Sequence, residues 1–361
     1  MPPPPRPAHP NPVRSEDEKA AAVRLFDEVI AKGDVIGYGG AEEQAYEAEF
    51  AEYMGGGWAD AVNSGTTSLY CAVGALNLPA GSEVVVPPIT DPGGVMPVAL
   101  LNLIPVVADA APGTFNAGAA EIEAVLSERT SAIVVAHIAG EPADMDPIMA
   151  LAEKHGLPVV EDCAQAHGAR YKGRIVGSIG TIAAISTMSG KHHASGPQGG
   201  LVFAGAHNDH AEELIWECKR FADRGKPFNL KPGDPVVGGN EVRVGAVGAN
   251  VRAGLNLNSN DLSAAIGRVQ LAKLESSVQR RRAVADAIAA GLAANGNTAV
   301  TLGSWPEAAE PSHWFLRIRV DSEALAEGIG KPEVAQALAA EGFPVNEGAP
   351  RPAIARAPSC R

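Results

Sequence analysis

The feature that most constrains this chain is an alternation. Between residues 83 and 205, short apolar runs (EVVVPP, IPVVAD, SAIVVAHI, LPVVED, GTIAAIST, GGLVFAG) recur, most of them separated by amphipathic segments such as GGVMPVALLNL, AAEIEAVLSE and DMDPIMALAEKHG. An unbroken apolar run suits a strand buried on both faces, and a helix between strands returns the chain to the same end of a sheet. The pattern predicts an α/β fold with a mostly parallel central sheet covered by helices. In such sheets ligands collect beyond the carboxyl ends of the strands. Asn63, Thr90, Ala139, Asp162 and Ser186 each fall just past a predicted strand, so polar and small residues should converge on one sheet edge.

The flanks read differently. The proline-rich start, residues 1–14, is expected to be a disordered tail with no hydrophobic core of a secretory signal. EDEKAAAVRLFDEVIAK is an amphipathic helix between Ser15 and Gly33, and a second helix covers Ala41 to Tyr53, forming an N-terminal arm. Residues 15–250 make the large domain. Residues 251–361 make a smaller α+β domain, with a long helix from about Asn260, an arginine run at 280–282 on a solvated face, and HWFLRIRVD as a strand. Its end, from Asn346, reads as disordered and abbreviated.

The formal net charge of −13 argues against a nucleic acid or an anionic membrane as the main partner. Four well-separated cysteines without CxxC spacing argue against structural zinc or a disulfide framework, and no metal is expected; a reduced, cytoplasmic protein fits. Cys163 reads as a small core filler.

Candidate chemistry centres on residues 161–200. Lys191 lies in a loop of small residues after an apolar strand. A lone loop lysine is ordinarily a surface charge, but partial burial would deprotonate it for Schiff-base chemistry, and small neighbours let a ligand approach. Asp162 ends a strand, where a carboxylate serves as helix cap, metal ligand or partner of a protonated ring nitrogen. With a lysine nearby, the third role points to pyridoxal phosphate (PLP). Gly65-Thr66-Thr67 opens a helix after a strand, where free amides and the helix dipole favour an anion, although Ser64 as a plain N-cap explains the same residues. Ser186 would add a hydroxyl at the same edge.

Several stretches, taken in order over roughly residues 35–285, resemble the DegT/DnrJ/EryC1/StrS sugar aminotransferases: GYGGAEEQAYEAEFAEYM, NSGTTSL, PVVADAAPGTFN, RTSAIVVAHIAGEPADMD, EDCAQAHGARYKGRIVGSIG, ISTMSGK, QGGLVF and GLNLNSNDLSAAIGRVQLAKLESSVQRRR. The resemblance implies a PLP-dependent transferase fold of the aspartate aminotransferase class. It implies that Lys191 is the Schiff-base lysine, that Asp162 meets the pyridine nitrogen, and that Gln165 meets the phenolic oxygen. Gly65, Thr66 and Ser186 would hold the phosphate, and Asn256 would reach the neighbouring subunit's cofactor in a homodimer with shared active sites. Glutamate or glutamine would donate the amino group to a keto-sugar nucleotide or keto-cyclitol.

The chain also departs from that pattern. Where the family commonly has Thr and an aromatic, Thr90 is followed by Asp91-Pro92-Gly93-Gly94, so the ring stack is absent or comes from elsewhere, with His167 one replacement, and Asp91 is a candidate substrate contact. The family's Asn-Tyr-Arg-Met appears as Asn256-Leu257-Asn258-Ser259. His192 and His193 follow the lysine, either lining a polar pocket toward substrate or acting as a catalytic pair. Two rivals remain at this point. One is a PLP-dependent elimination or aromatic-amine-forming enzyme; the other is a non-catalytic PLP-binding partner subunit.

Overall fold

The computed structural model describes residues 15–231, 233–236, 240–241, 250–296 and 298–345. The proline-rich tail, much of the glycine-rich stretch before residue 250 and the segment from Asn346 lie outside the described residues. The N-terminal arm is α1 (Glu16–Lys32) and α2 (Ala41–Tyr53). Ser15 and Glu18 form a capping box at the start of α1, and Gly33 stops it at φ 66°. The large domain continues with β1 (Gly57–Val62), α3 (Gly65–Ala75), β2 (Glu83–Val86), α4 (Met96–Leu100), β3 (Ile104–Val107), α5 (Ala119–Glu123), β4 (Thr130–Ala136), α6 (Met145–His155) and β5 (Val159–Asp162). A small hairpin, β6 (Arg170–Tyr171) and β7 (Arg174–Ile175), precedes β8 (Ile182–Ser186), β9 (Gly200–Gly205) and α7 (Ala211–Ala222). The last helices are α8 (Asp261–Ala294) and α9 (Lys331–Ala340).

The seven-stranded sheet has the order β1-β9-β8-β5-β4-β2-β3. All pairs from β8 to β3 are parallel, and β9 runs against both neighbours. The mostly parallel sheet expected from the alternation is present. The strands are mostly apolar because their two faces feed two cores; Asp60, Glu83 and Glu161 are buried exceptions. Val85, Ile133, Val135, Val159, Ile185 and Phe203 pack with Tyr46, Phe50, Ile148 and Leu274 on one face. Val84, Val86, Val134, Val160, Ile182 and Val202 pack with Leu69, Val73, Ile215 and Phe221 on the other. With both faces dry there is no place for polar alternation.

Three expectations differ. The helix foreseen around residues 93–103 is short, because Pro92–Gly94 forms a separate tight turn and the helix restarts with Pro97 in its first turn, where no amide is needed. α5 stops early at a turn stabilised by Ser127 N–H to Thr130 Oγ1 (2.9 Å) and Arg129 N–H to Ser127 Oγ (3.1 Å). Of the arginine run only Arg280 is on a solvated face; Arg281 and Arg282 are half-buried. Arg281 Nη1 donates to the His313 carbonyl (3.0 Å), and Arg282 Nε donates to the Pro311 carbonyl (2.8 Å). Both therefore hold the backbone of residues 311–314 against α8.

At the centre of the sheet, Glu161 is fully buried. It accepts the amides of Gly177 (2.7 Å), Ile179 (2.8 Å) and Gly180 (2.6 Å), and His137 Nε2 lies 3.0 Å away. His137 Nδ1 accepts the Ala143 amide at 3.0 Å, so Nε2 carries the proton given to Glu161. Cys163 lies close to both, but these side chains are already engaged, and the group is a hydrogen-bond network. Burial pushes the Glu161 carboxyl up, yet His137 and the amides overcome it and leave it below the usual 4.5. Its stabilisation is thus present above that value and lost as pH falls through the lowered one. Glu161→Ala should cost about 3–5 kcal/mol in urea denaturation at neutral pH. The deficit should shrink as pH falls below 4.5 and through the lowered value, where the wild-type carboxylate itself protonates.

Candidate active site

The carboxyl ends of β1, β4, β5 and β8 meet at one edge, and the sequence-marked residues gather there. Ser186 closes β8 and is buried. Gly65 begins α3 directly against it: a Cβ on Gly65 would lie 2.4 Å from Ser186 Cβ. Only glycine lets the helix start come this close. Ser64 Oγ caps the helix by accepting the Thr67 amide at 3.1 Å. Among the described residues the Gly65 and Thr66 amides have no protein acceptor, as expected of a first helical turn. Amides, the Thr66 and Ser186 hydroxyls and a helix dipole therefore face one small space, the donor set for a phosphate.

Asp162 ends β5 half-buried, and its Oδ1 accepts the Ala164 amide at 3.0 Å. A side chain at Gly94 would crowd Thr90 Oγ1 at 2.4 Å and Asp162 Oδ2 at 3.2 Å, so the glycine keeps open the space in front of the carboxylate. Burial pushes the Asp162 carboxyl up, opposed by the Ala164 amide and the Lys191 charge. Such an acid stays ionised most readily beside a cation, which suits a protonated ring nitrogen. Gln165 accepts the Ala139 amide on Oε1 at 2.8 Å, which fixes its amide and leaves Nε2 as a donor. Ala139 adopts φ 62°, a left-handed conformation uncommon outside glycine, at the same edge.

Lys191 sits in a turn closed by its own amide to the Met188 carbonyl (2.9 Å). Burial pushes its ammonium down, while Asp162 and then Asp91 pull it back up. Asp91 is exposed and caps its own turn through the Gly93 amide (3.0 Å). The structure therefore brings Gly65, Thr66, Asp91, Asp162, Ser186 and Lys191 together, with Gln165 beside Ala139. Asn256 is exposed and takes Asn258 Nδ2 on its Oδ1 at 2.9 Å; none of its contacts reaches Lys191 or the Gly65 turn. It lies on the segment whose Leu257 carbonyl accepts the Asn63 amide.

Two expectations fail. His192 and His193 are fully buried beneath the lysine loop and cannot line a substrate pocket. His192 Nε2 donates to the Ser312 carbonyl (3.1 Å), and His193 Nε2 meets Tyr46 Oη (2.7 Å). Burial holds their pKa values down to about 3 and about 4, so both are neutral. His167 is no ring stack over a cofactor either. It packs 5.4 Å from His192 and 5.7 Å from His193, ring centre to ring centre, on the core side of the loop. All three rings are buried and pack against one another and against Tyr46 and Phe50 of α2.

Sequence reasoning missed Trp314. Its ring centre lies 3.9 Å from Lys191 Nζ, and its Nε1 donates to the Gly190 carbonyl at 2.9 Å. The expected strand HWFLRIRVD is a strand only over Ile318–Val320, paired with Val300–Leu302. Before it, the Ser312 and Trp314 amides bond Gly140 and Ala139 carbonyls at 2.8 Å each. No local signal marks this contact, because the partners stand 124 positions apart.

The donor set and glycine-lined space fit PLP: a phosphate cradle, a carboxylate for the ring nitrogen, an amide for the phenolic oxygen and a partly desolvated lysine. Comparisons with known proteins agree. The chain is 35% identical over 301 residues to the L-glutamine:2-deoxy-scyllo-inosose aminotransferase of Micromonospora echinospora, covering 83% of this chain and 68% of that one. It is 33% identical over 307 residues to the L-glutamine:scyllo-inosose aminotransferase of Streptomyces griseus, covering 84% and 69%. Its fold matches the crystallographic aminotransferase from Psychrobacter cryohalolentis with a TM-score of 0.80 at 32% identity, over 94% of this chain and 82% of that one. A sequence profile of the DegT/DnrJ/EryC1/StrS aminotransferases matches residues 16–345, and the chain belongs to that family of PLP-dependent aminotransferases.

Proposed function

We propose that this aminotransferase moves an amino group from L-glutamine or L-glutamate to the keto group of a cyclitol or nucleotide-linked sugar, as a homodimer with shared active sites. The observation that carries the reading is the arrangement of Lys191 with Asp162 beside the Gly65–Ser186 cradle. The donors and acceptors named for the two curated relatives support the substrate classes. Asp162 would hold the ring nitrogen of PLP, Gln165 the phenolic oxygen, and Gly65, Thr66 and Ser186 the phosphate, with Asn256 offered across the dimer. When bound, PLP supplies the electron sink for the carbon that loses its proton.

The chain's own residues do the rest. Burial lowers the Lys191 pKa and enriches the neutral amine, which can attack a carbonyl and can take up and return a proton at Nζ. Asp162 would hold a cation in place, and together with Asp91 it pulls against that neutralisation. Asp91, exposed at the mouth and near Lys191, is placed to meet polar groups of the acceptor. The buried sheet floor and the turns around Gly94 and Gly190 exclude water from behind.

Lys191→Ala should lower amino transfer by roughly 10⁴-fold or more, since nucleophile and proton carrier are lost together. The visible absorbance of purified protein should vanish with it; undiminished turnover would sink the assignment. Asp162→Asn should still take up PLP but slow each half-reaction by about a hundredfold or more in stopped-flow absorbance. Adding glutamine, then glutamate, to the purified protein and following the cofactor spectrum identifies the donor. A protein that takes up cofactor yet responds to neither is a non-catalytic subunit.

The dimer is tested by mixing two inactive proteins. If Asn256 serves its neighbour's site, refolding Lys191→Ala with Asn256→Ala in equal amounts should restore about a quarter of wild-type activity, because half the dimers carry one intact site. No recovery would count against sharing through Asn256.

A further inference from the structure

The turn Asp91-Pro92-Gly93-Gly94 offers no ring beside the cofactor site, yet an aromatic ring does reach the lysine. Trp314 comes from the far end of the chain, and it is firmly placed. Its amide donates to the Ala139 carbonyl, its own carbonyl accepts Arg281 Nη1 at 3.3 Å, and its indole N–H is tied to Gly190, the residue before the lysine. Two positions earlier, the Ser312 carbonyl accepts His192 Nε2, the residue after the lysine. His313 holds φ 48° between them. The lysine loop and residues 312–314 are thus bonded on both sides of Lys191, and the indole face lies over Nζ.

We propose that Trp314 is a positioning residue for the Lys191 amine: its π face seats Nζ at the mouth of the site and favours the protonated form. The inference rests on the reading of Lys191 as the cofactor-bearing lysine. An ammonium is drawn to the negative face of an aromatic ring, most strongly to tryptophan. Burial works in the opposite direction on the same amine, and Asp162 and Asp91 work with the indole. The groups facing Nζ are therefore the indole, Asp162 and Asp91. The histidines behind the loop are neutral and add no charge. Removing the indole should release the amine: its protonation midpoint falls, and a larger fraction is neutral at a given pH.

The test uses the full chain freed of cofactor. Reductive methylation of Lys191 is followed by peptide mass spectrometry between about pH 6 and pH 10, with exposed Lys154 as internal reference. In Trp314→Leu the Lys191 midpoint should fall by roughly half a unit or more, making labelling near neutral pH about threefold faster. Trp314→Phe, which keeps a weaker face and loses the bond to Gly190, should fall between Leu and wild type. Coincident midpoints in all three proteins overturn the proposal. A separate readout does not require a variant at 314. Tryptophan fluorescence of wild-type apoprotein should titrate with the Lys191 midpoint, and the titration should disappear in Lys191→Met. A fluorescence curve unchanged by Lys191→Met also overturns it. Borohydride trapping of PLP in wild type tests the underlying reading separately. An adduct on a lysine other than Lys191 removes that reading, whereas an adduct on Lys191 with unmoved midpoints removes only the role of Trp314.

Discussion

The site depends on a carboxylate that never meets a ligand. Glu161 lies in β5 among the ends of three neighbouring central strands. It accepts the amides of Gly177, Ile179 and Gly180 from the turn that delivers the chain into β8. Through His137 it also holds the exit of β4, where Ala139 and Gln165 are bonded. A buried carboxylate is tolerable only when its oxygens are filled, and here they are. Because strand side chains alternate, fixing Glu161 toward one core turns Asp162 toward the other face at the open edge. The acid that holds the structure thereby aims the acid that is placed for the cofactor.

Electrostatics behind Lys191 are arranged by burial more than by charge. His167, His192 and His193 form a cluster of rings under the loop, and all are pushed toward the neutral form. Arg281, half-buried without a carboxylate partner among its described bonds, adds a positive field that helps keep His192 uncharged. A protonated histidine there would compete with Lys191 for the influence of Asp162. Neutral rings fill the space without doing so. The lysine is left balanced between burial, which neutralises it, and two carboxylates in front, which do not.

Much of this was legible in the chain because the governing signals are local. Apolar runs of strand length fixed the parallel sheet, and a parallel sheet fixes which ends meet. Lys191, Asp162, Ser186 and Gly65 followed from their place after a strand, and all four gather at one edge. What local reading missed has a common physical origin. The direction a loop side chain faces depends on what lies above and below it, so His192 and His193 were assigned to the open side although α2 and residue 312 wait beneath. Arg281 and Arg282 read as solvated because backbone carbonyls, which leave no compositional trace, are among their acceptors. Glu161 has no local signal at all, since the amides it gathers belong to a turn sixteen to nineteen positions away.

The two halves of the site are therefore written in different parts of the sequence. The proposed cofactor half is built from residues at or just beyond strand ends of one sheet. The residues that look onto it from outside, Asp91 and Trp314, stand on turns. Asp91 caps a tight proline-glycine turn through its own side chain, and Trp314 hangs from a backbone bond to Ala139 and from Arg281 of α8. Both positions lie outside the strands of the central sheet. A chain built this way can change the group facing its acceptor without loosening its hold on the cofactor. The Asp91-Pro92-Gly93-Gly94 turn has given up an aromatic ring at one wall while the lysine keeps one at another. The aromatic contact belongs to the space around Nζ, not to a fixed place in the sequence.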